Sequence, residues 1–180
     1  MAESIIHKRL TYYSRSFNNV GTVNVLMVSV SQIYLDTVGK DLYVTREVQS
    51  KKRQYSLKVH TCKTILDVLE NMPDEFYVDF IVFIIDPGIG NCLYEIETNL
   101  TFIDSCFPRE KMCIVVPEAS FLKSMVSPIQ IWEFARKYQL NVINGQIKRP
   151  SGYFNLSKRI LNMMEACTGL LNGLPMLNTI

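Results

Sequence analysis

Short runs of uninterrupted apolar residues alternate along this chain with stretches in which apolar residues return every three or four positions. The first rhythm is that of strands covered on both faces, the second that of helices with one buried face. Residues 23–28 (VNVLMV) open the series as a buried strand. Val30, Ile33, Tyr34 and Val38 then predict an amphipathic helix over about 31–41, its stripe continuing to Leu42. Residues 55–59 alternate apolar and polar like a half-exposed strand. Ile65, Val68, Leu69 and Met72 put a helix over 64–72, with Pro73 to end it.

Residues 80–85 (FIVFII) are apolar without alternation and are bounded by Asp79 and Asp86-Pro87-Gly88, which places them in the centre of a parallel sheet. Leu93, Ile96, Leu100 and Ile103 trace the next helix, and residues 112–116 the next buried strand, stopped by Pro117. Ser127-Pro128-Ile129-Gln130 is a helix start: serine and glutamine three apart cap each other, and proline suits the first helical position. Ile131, Phe134, Ala135 and Tyr138 form that helix's buried stripe. Residues 140–143 give a short last strand, and Leu156, Ile160, Met163 and Cys167 a closing helix that Gly169 terminates.

Strictly alternating strands and helices predict an α/β fold: a three-layer, mostly parallel sheet with right-handed crossovers and helices on both faces. One domain over 22–170 is expected, with an arm over 1–21 and an apolar tail over 171–180. The chain has 180 residues, 48% of them apolar, enough for a sizeable core. A net charge of +2 gives no general attraction to nucleic acid or anionic lipid. The basic clusters Lys51-Lys52-Arg53 and Lys148-Arg149 read as solvated loops. Five cysteines without C-x-x-C spacing indicate neither a zinc site nor a disulfide framework, only reduced thiols. No apolar run is long enough to cross a bilayer, so the expected protein is soluble and not secreted.

Function in such sheets lies in the loops beyond the carboxyl ends of the strands. A phosphate loop of the form G-x-x-x-x-G-K-[ST] needs glycines for close backbone approach, a lysine for charge and a hydroxyl for Mg²⁺. With Ser29 at the first glycine, Tyr34, Leu35 and Asp36 fall on the last three positions: a ring in the space, no cation, and a carboxylate facing the phosphate. Asp86 stands where a magnesium ligand or phospho-acceptor would, but Asp-Pro-Gly makes a tight turn by itself. Where guanine recognition would need asparagine-lysine-x-aspartate, the chain has Pro117, Glu118, Ala119 and Ser120, and the hydroxyl of Ser120 does not replace a bidentate carboxylate. His7 and His60 have no nucleophile motif beside them, Cys113 lies within a core strand, and Asp74-Glu75 read as surface charge. No catalytic constellation, metal or cofactor is expected.

Several stretches resemble one family. Residues 78–85 are similar to the central strand of the CENP-M family; 97–107 with 111–113 look like its next helix and strand; 173–178 (GLPMLN) look like its segment after the last helix. Leu57-Lys58-Val59-His60 adds a short fourth likeness. The resemblance covers about 22–178. It implies a small-GTPase-like fold without its phosphate loop. It also implies a non-catalytic subunit of the constitutive centromere-associated network at the inner kinetochore in the nucleus. The implied partner is a helical-repeat protein, CENP-I, in a complex with CENP-H and CENP-K.

Six large apolar residues follow Gly169, among them Leu174, Met176 and Leu177. Either this tail folds back to cap its own domain, or part of it forms, with Phe107 and Pro108, the edge that holds the partner, in which case Phe107→Glu or Leu177→Glu would release the partner from an intact fold. The enzyme-class alternative is an active small GTPase. Gly39-Lys40 is its foothold, but this pair lies eleven residues past Val28 and Asp41 stands where serine or threonine is needed. A nucleic-acid adaptor using Lys51-Lys52-Arg53 is a further alternative, with salt-sensitive retention of DNA as its signature.

Overall fold

The computed structural model describes residues 9–11, 21–48, 55–71, 76–117, 124–145 and 150–170, the last from 155 onward with side chains. Five strands, β1 (Thr22–Val28), β2 (Ser56–Cys62), β3 (Phe80–Ile84), β4 (Met112–Pro117) and β5 (Asn141–Gly145), form one sheet in the order β2-β1-β3-β4-β5. Every pairing is parallel. Five α-helices alternate with them: α1 (Gln32–Val48), α2 (Ile65–Asn71), α3 (Cys92–Thr101), α4 (Pro128–Tyr138) and α5 (Pro150–Cys167). This is the α/β parallel architecture that the alternating rhythm predicts, and it agrees with the small-GTPase-like fold that the resemblance implies.

Period-two geometry sends successive strand residues to opposite faces, which divides the apolar residues into two cores. Leu26, Val28, Ile81, Phe83, Ile114 and Val116 meet α2, α3 and α4 on one face. Val25, Met27, Phe80, Val82, Cys113 and Val115 meet α1 and α5 on the other. β3 and β4 are buried along their whole length, the reason their sequences do not alternate. β2, at the sheet's edge, alternates at its start, and of its later residues Val59, His60 and Cys62 are half-buried and Thr61 exposed.

Several boundaries differ from those the spacing predicts. α1 runs past Asp41 to Val48 because Leu42 and the polar but buried Thr45 extend its inner stripe. β2 starts one residue later and runs to Cys62, in register with Val28 at the end of β1. β5 begins after Leu140 and runs to Gly145, where a Cβ would lie 2.7 Å from Leu156 Cδ1, so that only glycine lets α5 come this close. The capping box forms: Ser127 Oγ accepts from the Gln130 N–H and Gln130 Oε1 from the Ser127 N–H. α4 ends with Gln139 left-handed, at φ 55°, and the Leu140 N–H on the Ala135 carbonyl. Beyond Cys167, Gly169 takes φ 77° while the Leu170 N–H returns to the Glu165 carbonyl, the left-handed stop expected of this glycine.

Two buried polar contacts escape the pattern. Tyr55, just before β2, donates its hydroxyl to Glu165 Oε1 on α5 at 2.5 Å, and Arg46 on α1 donates to the Tyr55 carbonyl. Leu10, from the segment expected as an arm, is buried and pairs with Ile103: its N–H meets the Phe102 carbonyl and its carbonyl the Asp104 N–H, both at 2.9 Å.

Candidate functional site

The chain leaves β1 through α1 toward β2 on one side and leaves β3 through α3 toward β4 on the other, so the sheet's switch point lies between the carboxyl ends of β1 and β3. Ligands of open α/β sheets bind there. Ser29, Lys63, Asp86, Cys92, Glu95 and Asn99 line a cleft at this point that narrows to about 20 Å³, room for one water molecule.

The turn from β1 to α1 is residues 29–31, three residues without a glycine. It is shorter than the G-x-x-x-x-G stretch that precedes the lysine of a phosphate loop. Ser29 is buried; its N–H donates to the Cys62 carbonyl at 3.1 Å and its Oγ accepts from the Ser31 N–H at 3.2 Å. The Leu35 N–H already bonds the Ser31 carbonyl, so helix geometry begins where the phosphate loop would still be turning. This corrects the expected plug. Tyr34, Leu35 and Asp36 are not in the loop but on α1: Tyr34 is half-buried against the α1/α5 core, Leu35 is inside it, and exposed Asp36 accepts from Gln32 Nε2 at 2.9 Å. The turn differs from a phosphate loop in length, with the ring and the carboxylate outside it.

Asp86 makes the tight turn: its Oδ1 accepts from the Gly88 N–H and its carbonyl from the Ile89 N–H, both at 2.9 Å. Pro87 extends this turn to the loop before α4, its carbonyl accepting from the N–H groups of Met125 and Val126. The residue that joins the site's walls is Asn99. It is buried on α3, accepts from the Ile65 N–H at the start of α2 at 2.6 Å, and donates to the Glu95 carbonyl at 2.7 Å. Its amide thereby caps α2 from another helix.

Burial keeps four of the thiols protonated: Cys62 is pushed up to about 12 by burial and then Asp67, Cys92 to about 11 by burial and then Asp86, and Cys113 and Cys167 are also raised, mainly by burial. Thiols held this way are weak nucleophiles. His60 on β2 packs edge-on against Phe76, ring centroids 4.8 Å apart, and burial, then Lys58, lowers its pKa. Among the described residues no three His, Cys, Asp or Glu side chains come together as a metal site, and no helix is long and apolar enough to cross a membrane.

The expected partner edge divides. Phe107 is 1% exposed inside the α2/α3/α4 core, which corrects its expected place at the surface. Pro108 is half-buried and starts a single 3-10 turn, Arg109–Lys111, against which the end of α5 packs. Pro117 is buried as the last residue of β4, paired with Gly145. Glu118, Ser120, Leu174, Met176 and Leu177 lie outside the described residues, as do His7, Asp74, Glu75 and both basic clusters.

One surface was missed by sequence reading. On α4, Ile129 and Trp132 are 70% and 55% exposed, and Met125 before it 71%. Ile129 and Trp132 fall off the Ile131, Phe134, Ala135, Tyr138 stripe, and a helical projection of 128–138 exposes them as apolar residues on the polar face.

A comparison with curated proteins found no match. Residues 15–179, nearly the whole chain, match the family model of centromere protein M (CENP-M), and the chain with this small-GTPase-like sheet belongs to that family.

Proposed function

We propose that this protein is a non-catalytic pseudo-GTPase scaffold that stabilises a helical-repeat partner, CENP-I, within an inner-kinetochore complex also containing CENP-H and CENP-K. Membership of the family makes it a centromere and kinetochore component that works with other centromere proteins in chromosome segregation in the nucleus. The observation that carries the finer reading is the three-residue, glycine-free turn between β1 and α1. Phosphate binding by backbone needs several N–H groups converging from a longer loop, together with a lysine. Here Ser29 spends its N–H on Cys62 and Ser31 spends its own on Ser29, at the position where phosphate would need them. A scaffold needs neither nucleotide nor Mg²⁺.

The partner edge is proposed at Pro108 and the tail side chains Leu174, Met176 and Leu177, without Phe107. The end of α5, from which the tail departs, packs on the turn that Pro108 starts. Burying one leucine contributes about 1.5–3 kcal/mol, so three or four such anchors are of the size that offsets the cost of association. Calorimetric titration of the purified chain with Mg²⁺-GTP tests the first part: no binding heat is expected, and micromolar binding would restore the active-GTPase reading. Co-purification of CENP-I with Leu177→Glu tests the second: loss of the partner from a folded chain is expected, and full retention removes the edge.

A further inference from the structure

We propose that residues 171–180 of the chain lie along the outer face of α4 and cover Ile129 and Trp132. The seat is a groove of about 540 Å³ lined by Ile129, Trp132, Glu133, Ala135, Arg136 and Leu140. Its apolar wall faces solvent, since Trp132 is 55% and Ile129 70% exposed. Large apolar side chains side by side on one helix face make a patch that a soluble surface ordinarily covers.

Position, reach and composition select the tail as the occupant. Cys167, the last residue of α5, feels the charges of Glu110 and Lys111 in the Arg109–Lys111 turn, which leads into the amino end of β4. Leu140, which closes one end of the groove, precedes the amino end of β5, paired with β4 at Cys113↔Asn141. The tail therefore departs at the same end of the sheet at which the groove begins. From Leu140 to Ile129 the groove follows α4 for about 16 Å at the helical rise, while ten extended residues span about 33 Å. About 17 Å of extended chain is left for the passage round the β5 edge from the α5 face to the α4 face. The tail contains Leu171, Leu174, Met176, Leu177 and Ile180 and no charged residue, while Glu133 and Arg136 cancel each other along the groove. Gly173 and Pro175 oppose continuation of α5 and favour an extended run. This seat is that of the chain free of its partner, and engagement of Leu174, Met176 and Leu177 at the partner edge requires them to leave it.

Trp132 is the single tryptophan, so its emission reports on the groove without labelling. In the full chain its emission should lie to the blue and be shielded from iodide. The full chain carrying Leu174→Ser with Leu177→Ser should show a red-shifted maximum and an iodide quenching constant raised at least about twofold, with the far-UV circular dichroism unchanged. A chain ending at Leu170 should repeat both changes. Equal quenching in the full chain and the double-serine variant overturns the proposal. So does shielding that disappears on dilution, which would put a second copy in the groove.

Discussion

The carboxyl edge of the sheet and the outer face of α4 use their residues in opposite ways. At the edge, polar groups are tied to the surrounding backbone: Ser29 to Cys62 and Ser31, Asp86 to Gly88, Asn99 to Ile65 and Glu95. Along α4, large apolar groups are turned outward and meet solvent. In an α/β fold the edge is the customary ligand site, yet here it is tied into the scaffold. The cleft's polar groups are tied up within the scaffold, while the α4 face keeps apolar side chains that another segment or protein can cover.

The edge should therefore be costly to alter and the surface cheap. The largest effect is expected at Phe107, buried in the α2/α3/α4 core at the amino end of the sheet. Phe107→Glu removes a buried ring and leaves a carboxylate in its place, a cost of at least about 4 kcal/mol. Urea unfolding should show a chain that is unfolded or close to it; a cooperative transition at the parent midpoint would return Phe107 to the surface.

Asn99 tests the edge itself. Asn99→Ala orphans the buried Ile65 N–H and removes the side-chain donor to the Glu95 carbonyl, and should cost about 2–3 kcal/mol. Asn99→Asp keeps the acceptor for Ile65 but loses the donor to Glu95, so comparing the two by denaturant titration separates the two bonds. An alanine variant within about 0.5 kcal/mol of the parent would mean that the edge is not held together by this amide.

At the boundary between the two regions stands Ser127, exposed yet reciprocally bonded with Gln130. Ser127→Ala should lower stability by about 1 kcal/mol, the usual value of such a cap, and Ser127→Asp should recover most of it. Thermal melts of the three proteins give the order directly. If alanine and serine melt together, the cap forms without stabilising α4.

How far these differences could be foreseen depended on the range of the contacts involved. β3 and β4 were legible because burial on both faces leaves no polar residue in FIVFI or MCIVV, and the start of α4 because its cap is completed within four residues. The turn after β1 was misjudged for a physical reason: aligning Ser29 with a glycine imposes the length of a phosphate loop, whereas the length is decided by where Ser31 begins to accept helical bonds. Phe107, between exposed Cys106 and half-buried Pro108, has no periodicity to announce its burial. Leu10 and Asn99 act across about ninety and thirty-four residues of sequence, and no local window contains both partners. The family likeness over the central strand and the tail was legible, and the exposed apolar face of α4 was present in the spacing but unread.

The smallest expected effect completes the contrast. An apolar side chain that already faces water loses little when it is replaced, because its transfer free energy was never gained on folding. With the tail displaced by Leu174→Ser and Leu177→Ser, Trp132→Ser should thus change the unfolding free energy by no more than about 0.5 kcal/mol. In the chain with its natural tail the same replacement should cost more, because the tail then covers the ring, and the difference between the two backgrounds measures the contact itself. A double-mutant cycle in urea gives that coupling; a value of zero would leave the α4 face bare in the free chain and available to a partner instead.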